Sequence, residues 1–451
     1  MPSHAPLSLL PLSMIVRSLF TTTVSSSPVL LRPSLRVMSV LAHSSNAFFN
    51  PDRNPVLRWF LKKTFYAQFC AGERPEEVRQ TIRRLKDIGF TGVILGYAKE
   101  VVLSETQARG LASCGGDGPE AAADCIKNEI VPWAEATETT VKLAQPGDFV
   151  ALKFTGAGRQ ALYSLSERLP PPPALAEAID RVCACAAEHG VRLLFDAEQA
   201  ALQPGIDDWT LDYMRRYNTE PGRAVIYGTY QAYLKSTPAT LARHLVAARD
   251  GGFTLGVKLV RGAYLGSDPR HLIHDTKADT DAAYDAIAAS MLRRQWGDVF
   301  RSRSRSRKQE IGNAGEGEGA GAGAEGPPFP EASLVVASHN AESVRRARAI
   351  CEAGEAKIDV AFGQLQGMAD EISCELVSAK KGTTTAAAAR QGGKTLQTYK
   401  YLVWGSTGEC MKYLLRRAYE NRDAVQRTRA GRDAMWGELV RRAKQTVGLT
   451  S

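Results

Sequence analysis

The first 51 residues contain no acidic side chain, no apolar run is long enough to cross a bilayer, and no G-x-G-x-x-G loop occurs after the first candidate strand. Each absence excludes something. A spanning helix needs about 20 mostly apolar residues in a row, so an integral helical membrane protein is not expected. A doubly wound dinucleotide fold needs a glycine-rich phosphate loop, and Ile94-Leu-Gly-Tyr-Ala-Lys99 does not supply one. The eight cysteines (70, 114, 125, 183, 185, 351, 374 and 410) follow no zinc spacing. The close pair, Cys183 and Cys185, lies in a helical pattern where two residues two apart diverge by about 200°. Free thiols in a reducing compartment are the expectation. Asp196, Glu198 and His339 could hold a divalent ion. No second His or Cys joins them, however, and nearby cations would repel the ion, so no metal is expected. The net charge of +9 is concentrated at the two ends of the chain. Residues 1–63 hold seven Lys and Arg against Asp52 alone, and residues 412–444 hold ten against four acids. Neither stretch interleaves its cations with stacking aromatics, which argues against nucleic acid as a partner.

The acid-free first 50 residues are rich in Ser and Thr and punctuated by Arg17, Arg32 and Arg36. That composition predicts a mitochondrial transit peptide or a disordered extension. From residue 55 to residue 450, short β-branched runs alternate with amphipathic stretches. Strands are predicted at 91–97, 148–155, 191–197, 223–231, 254–261, 333–339, 358–364 and 399–404. Helical patterns lie between them, as at 75–88, 173–189 and 340–354. Eight strand–helix repeats in one chain predict an α/β fold with a parallel sheet, and eight is the number that makes a (β/α)8 barrel. Two inserts interrupt the repeat: a low-complexity, Gly-, Glu- and Arg-rich segment at 302–331, expected to be disordered, and a second at 380–394. Both precede strands, away from the loops that carry chemistry in such a barrel.

The C-terminal ends of the strands carry polar and cationic groups that are costly to bury without a ligand. These are Lys153, Asp196, Gln231, Lys258, Arg261, Tyr264, His339, Gln364, Leu365, Gln366, Tyr401 and Trp404. After the last strand comes Tyr413-Leu-Leu-Arg-Arg-Ala-Tyr-Glu-Asn421. On a helix, Tyr413, Arg416, Arg417 and Glu420 share one face. Two adjacent guanidinium groups can clamp one small carboxylate through parallel N–H donors. The same pattern also fits a solvated basic stripe, and Lys153 or Lys258 alone would fit a Schiff-base barrel enzyme.

The ordered set of motifs carries more than any one of them. Phe65-Tyr-Ala-Gln-Phe-Cys-Ala-Gly-Glu73, Ala151-Leu-Lys-Phe-Thr155, Phe195-Asp-Ala-Glu-Gln199 and Thr229-Tyr-Gln-Ala-Tyr-Leu-Lys235 come first. Gly256-Val-Lys-Leu-Val-Arg-Gly-Ala-Tyr264, Ala337-Ser-His-Asn340, Phe362-Gly-Gln-Leu-Gln-Gly-Met368, Lys400-Tyr401 and Tyr413–Asn421 follow. Together they resemble the proline dehydrogenases, in their eukaryotic form. The resemblance implies a distorted (β/α)8 barrel with FAD at the C-terminal face of the strands. It implies oxidation of L-proline to Δ1-pyrroline-5-carboxylate, with electrons passed to a quinone. The expected setting is the matrix side of the mitochondrial inner membrane, with peripheral membrane contact.

Residue by residue, the resemblance makes Arg416 and Arg417 partners of the substrate carboxylate, with Lys153 as a third cation. Leu365, Tyr401 and Tyr413 would pack around the pyrrolidine ring, and Asp196 would lie near flavin and substrate. Gln231, Lys258, Val260, Arg261, Gly262, Tyr264 and His339 match flavin-contacting positions. Glu420, grouped with that set, would orient an active-site arginine. A phenol at Tyr401 would crowd a ring hydroxyl and so favour proline over 4-hydroxyproline. Where relatives read Tyr-Gly-Pro-Val, this chain has Trp404-Gly-Ser-Thr-Gly408, so the entry to the arginine helix is altered.

Overall fold

The computed structural model describes residues 5–98, 119–301, 327–383, 396–420 and 425–448. Nine strands are present among the described residues: β1 (Cys70–Gly72), β2 (Gly92–Tyr97), β3 (Phe149–Leu152), β4 (Arg192–Phe195), β5 (Ile226–Gln231), β6 (Leu255–Val260), β7 (Ala332–Ala337), β8 (Asp359–Leu365) and β9 (Gln397–Trp404). Their order in the sheet is β1-β9-β2-β3-β4-β5-β6-β7-β8, with a further pairing between β9 and β8. This is the strand order of a (β/α)8 barrel, and the α/β class is the one expected. The eight strands read from the sequence are β2 to β9. The three-residue β1 is too short to show a period of two. It is held by parallel pairing to β9, Cys70 opposite Val403.

Two compact units divide the chain. One contains Met1–Leu193, Gly363–Thr385 and Leu396–Ser451, and the other contains Leu194–Phe362 with 386–395. The expected disordered or transit segment falls in the first unit, and there the structure departs from the expectation of disorder. Helices α1 (Leu12–Ser26) and α2 (Pro28–His43) are formed and packed. Leu35, Met38 and Ala42 of α2 are buried in one cluster with Tyr66, Met411, Leu414 and Leu415. Full burial of a Leu or Met side chain contributes about 1.5–3 kcal/mol. An Arg- and Ser-rich amphipathic composition reads alike for a leader and for a docked helix, because only the partner surface distinguishes them. No single described helix is long and apolar enough to cross a membrane; α1 and α2 pass such a length and composition test only as a pair, bent by 103°.

Of the two inserts, residues 302–326 and 384–395 lie outside the described residues. The end of the first is anchored. Trp296 Nε1 donates to the Pro327 carbonyl at 2.8 Å, and Arg294 donates to the Phe329 carbonyl at 2.9 Å. The first residues of the second insert belong to a helix, Asp370–Thr383.

The second unit shows how strand alternation sorts its side chains. β5 pairs with β6, and β6 with β7, all in parallel; Thr229 lies opposite Lys258. Tyr230 points to the helix Thr237–Gly251, where its hydroxyl lies 2.7 Å from His244 Nδ1. Thr229 and Gln231 therefore take the opposite face, together with Lys258. Buried Asn218 closes the loop before β5. Its amide donates to the carbonyls of Ile226 (2.8 Å) and Thr254 (2.9 Å), and its oxygen accepts from Val225 (2.9 Å) and Ile226 (2.8 Å).

Burial, reinforced by the nearby Arg243 and Arg215, pushes the His244 imidazole down to about 4. A folded-state pKa below the unfolded value of about 6.5 means that the unfolded chain binds more protons between the two. Stability should therefore be level above pH ~6.5 and fall by up to about 3 kcal/mol as pH drops to ~4. Urea midpoints measured across that range should lose this component in His244→Gln; an unchanged slope would refute it.

Candidate active site

In the first unit, helix α12 (Thr407–Glu420) starts from the altered loop, and that loop is well tied. Ser406 and Glu409 form a reciprocal cap: the Glu409 amide donates to Ser406 Oγ at 3.3 Å, and the Ser406 amide donates to Glu409 Oε2 at 3.0 Å. This S-x-x-E arrangement satisfies two of the amides that a helix start otherwise leaves open. Asp52 accepts from the Gly408 amide at 2.8 Å, so a second carboxylate sits at the positive end of the helix. Tyr66 donates to the Gly405 carbonyl at 2.8 Å. Gly405 has φ +145°, which suits glycine.

The helix so anchored presents Tyr413, Arg416 and Arg417 along one face. Tyr413 is buried in the cluster formed with α2, and the Arg417 guanidinium lies 5.3 Å from its ring centroid. Arg416 and Arg417 are half-buried. A solvated stripe would be exposed, so the burial favours the clamp. The Glu420 side chain lies outside the described residues.

Lys153 directly follows β3 in extended conformation, so the alternation of the strand continues through it. Its carbonyl accepts from Trp133 Nε1 at 3.0 Å. Leu365 ends β8 and is half-buried, as is Tyr401 on β9, whose carbonyl accepts from the Gln366 amide at 2.8 Å. Lys400 points the other way. Its ammonium is buried and donates to Asp370 at 2.6 Å, so Tyr401 takes the face away from that helix. Gln366, one residue past β8, has no role assigned to it by the family resemblance. Its buried Oε1 has no hydrogen-bond partner among the described residues, a costly arrangement that a ligand donor would relieve.

The second unit gathers the residues expected to face a flavin. Lys258 Nζ donates to Asp196 Oδ1 at 2.5 Å, both groups being buried. Gln231 bridges two loops, donating to the Glu198 carbonyl at 3.4 Å and accepting from the Ala263 amide at 3.1 Å. Arg261 is engaged by protein groups: Asp281 through Nε (3.1 Å) and Nη2 (2.8 Å), Ser338 (2.8 Å), Ser343 (2.8 Å) and the Tyr284 ring at 4.5 Å. Gly262 has φ +148°, and a Cβ there would run into the Tyr233 ring. Tyr233 donates to Asp268 at 2.5 Å; burial, then this carboxylate, pushes the phenol well above its ordinary value. Val260 ends β6, and Tyr264 and His339 lie on the loops after β6 and β7; all three are half-buried.

These groups suit a ring-bearing cofactor such as FAD. Gly262 allows close backbone approach, and the buried Thr229 hydroxyl, opposite Lys258 in register, has no partner among the described residues; the Lys258 charge is balanced by Asp196, so this pair adds no net cation.

Residues 78–430 match the family model described as Proline dehydrogenase. The chain belongs to the proline dehydrogenase family. A protein named "Probable proline dehydrogenase, mitochondrial" from Schizosaccharomyces pombe is 30% identical over 95% of this chain and 88% of its own length. Human "Proline dehydrogenase 1, mitochondrial" is 33% identical over 70% of this chain, which spans 46% of that protein. Xenopus laevis "Hydroxyproline dehydrogenase" is 28% identical over 95% of this chain and 87% of its own length. Among solved structures, proline utilization A from Bdellovibrio bacteriovorus, inactivated by N-propargylglycine, superposes with a TM-score of 0.59 at 17% identity. It covers 91% of this chain and 38% of its own, a likeness of fold. As a proline dehydrogenase family member, the chain is an enzyme, an oxidoreductase of proline catabolism.

Proposed function

We propose that the enzyme oxidises L-proline to Δ1-pyrroline-5-carboxylate with FAD as hydride acceptor and quinone as the final electron sink, at the matrix side of the mitochondrial inner membrane. The observation that carries the substrate reading is the half-buried Arg416–Arg417 pair on a doubly capped helix. Paired guanidinium forks bind a carboxylate in fixed geometry. Lys153 adds a third cation, while Leu365, Tyr401 and Tyr413 enclose the ring. In the other unit, Asp196, Gln231, Lys258, Val260, Arg261, Gly262, Tyr264 and His339 would hold the flavin. Arg261 does so chiefly by ordering the loop after β6, since Asp281 and two serines hold its guanidinium. Glu420 would orient an arginine of the clamp. When bound, the flavin supplies a two-electron acceptor. The chain's own part is to fix the ring carbon beside nitrogen, because transfer rates depend steeply on position.

Some relatives are named hydroxyproline dehydrogenases. The Tyr401 phenol favours the unsubstituted ring. Purified protein should show flavin absorbance that bleaches with L-proline and much less with 4-hydroxy-L-proline. Colourless protein that FAD does not reconstitute would refute the cofactor assignment, and faster bleaching by hydroxyproline would reverse the substrate assignment.

The membrane contact is supported by the N-terminal region. Leu12, Val16 and Phe20 project from one face of α1, with Val29, Val37 and Val40 on α2 and Trp59 beyond, all exposed. Arg17, Arg32 and Arg36 lie among them with no acid before Asp52. Such a mixture suits an anionic lipid surface. The protein should float with anionic vesicles and release at high salt; failure to float would remove the contact.

A further inference from the structure

We propose that Gly96 is a positioning residue for substrate recognition: the missing side chain on β2 is the space that the tip of the Tyr401 phenol occupies. The inference rests on the reading of Tyr401 as a substrate contact.

β2 lies between the two strands that carry site residues of the first unit. On one side Ile94 is opposite Tyr401 and Gly96 opposite Val403; on the other Gly96 is opposite Ala151, two residues before Lys153. Paired residues in a parallel sheet point to the same face, and so do residues two apart. Gly96 therefore shares a face with Tyr401 and Lys153, with one flanking strand bearing each. The Tyr401 ring leans along the sheet toward Gly96. A Cβ built at residue 96 would meet the Tyr401 hydroxyl oxygen at 3.0 Å, Cζ at 3.5 Å and Cε1 at 3.8 Å.

The first of these contacts is tighter than ordinary packing and the other two are not. A side chain at position 96 thus conflicts with the hydroxyl alone. Gly96 is buried within a buried strand, where glycine sacrifices both packing and backbone entropy, so its presence calls for a close approach of this kind. Gly92, at the start of the same strand, also leaves no room for a Cβ, which would meet first the Asp148 carboxylate and then the Tyr399 ring.

Gly96→Ala should displace the phenol by a few tenths of an ångström. Scaled from the ~100-fold cost in rate of a 1 Å misplacement, kcat/KM for L-proline should fall about 3- to 10-fold. Flavin content and melting temperature should stay close to those of the parent enzyme. The deciding comparison is the same substitution in a Tyr401→Phe background. Without the hydroxyl the next atom is at ordinary distance, so Gly96→Ala should change kcat/KM for proline less than twofold there. That double variant also keeps the question answerable should Gly96→Ala alone fold poorly, because it removes the only tight contact among the described residues and is expected to fold. An equal effect in both backgrounds, or none in the parent, would overturn the role of Gly96 while leaving Tyr401 as a substrate contact. A Tyr401→Phe variant with proline and hydroxyproline kinetics like the parent would instead overturn the reading of Tyr401 and this inference with it.

Discussion

Arg416→Met raises the KM for L-proline about 10- to 150-fold while flavin content stays constant. The size follows from the loss of a charge-assisted hydrogen bond, worth about 1.5–3 kcal/mol. Methionine keeps the unbranched stem, so the half-buried packing on α12 largely survives and the change isolates the guanidinium. A carboxylate contact made alike in ground and transition states affects KM more than kcat. Arg417→Met should behave similarly, with an added loss from the cation that lies over the Tyr413 ring. Steady-state kinetics together with the flavin-to-protein ratio check this. A proline KM within twofold of the parent would return the pair to the status of a basic stripe.

The second large effect is on stability. Lys400→Met should cost about 3–5 kcal/mol, because it leaves the buried Asp370 carboxylate without its cation. Lys400 also donates to the Met368 carbonyl at 3.3 Å, so the loop after β8 loosens as well. Replacing both members, Lys400→Met with Asp370→Leu, should recover most of the loss, since an apolar pair carries no desolvation cost. Urea unfolding of the three proteins tests it. A double variant no more stable than the single one would show that the ion pair is not the source of the cost.

The two cases mark what could be read from the chain and what could not. The position of Arg416 and Arg417 was legible because helical spacing needs only the sequence. Their half-burial was not, because it depends on tertiary packing around α12, whose Leu414 and Leu415 are buried with residues of α2 more than 370 positions earlier. The alternation Lys400–Tyr401 was legible as strand, but not which residue turned to the helices. The buried salt bridge to Asp370 decides that, and it places Tyr401 on the opposite face. Arg261 was expected at the flavin, and the structure shows why a cation there also serves the fold: Asp281, Ser338 and Ser343 gather on it. The unusual Ser406-Thr-Gly-Glu409 reads in hindsight as a capping box. Its second carboxylate, from Asp52, lies just past the stretch of chain read as a leader or disordered extension.

By itself the sequence determined the class of fold, the eight main strands, the helical face that carries the arginines and the family. All of these depend on periodicity or on ordered local motifs, which short-range geometry preserves. Tertiary structure alone decided that the acid-free N-terminal segment docks on the helix carrying Arg416 and Arg417, that Asp52 caps that helix, that Lys258 pairs with Asp196 and that Gly96 makes room for Tyr401. Each of these is a contact between residues distant in the chain, and such contacts leave no period in the sequence to read.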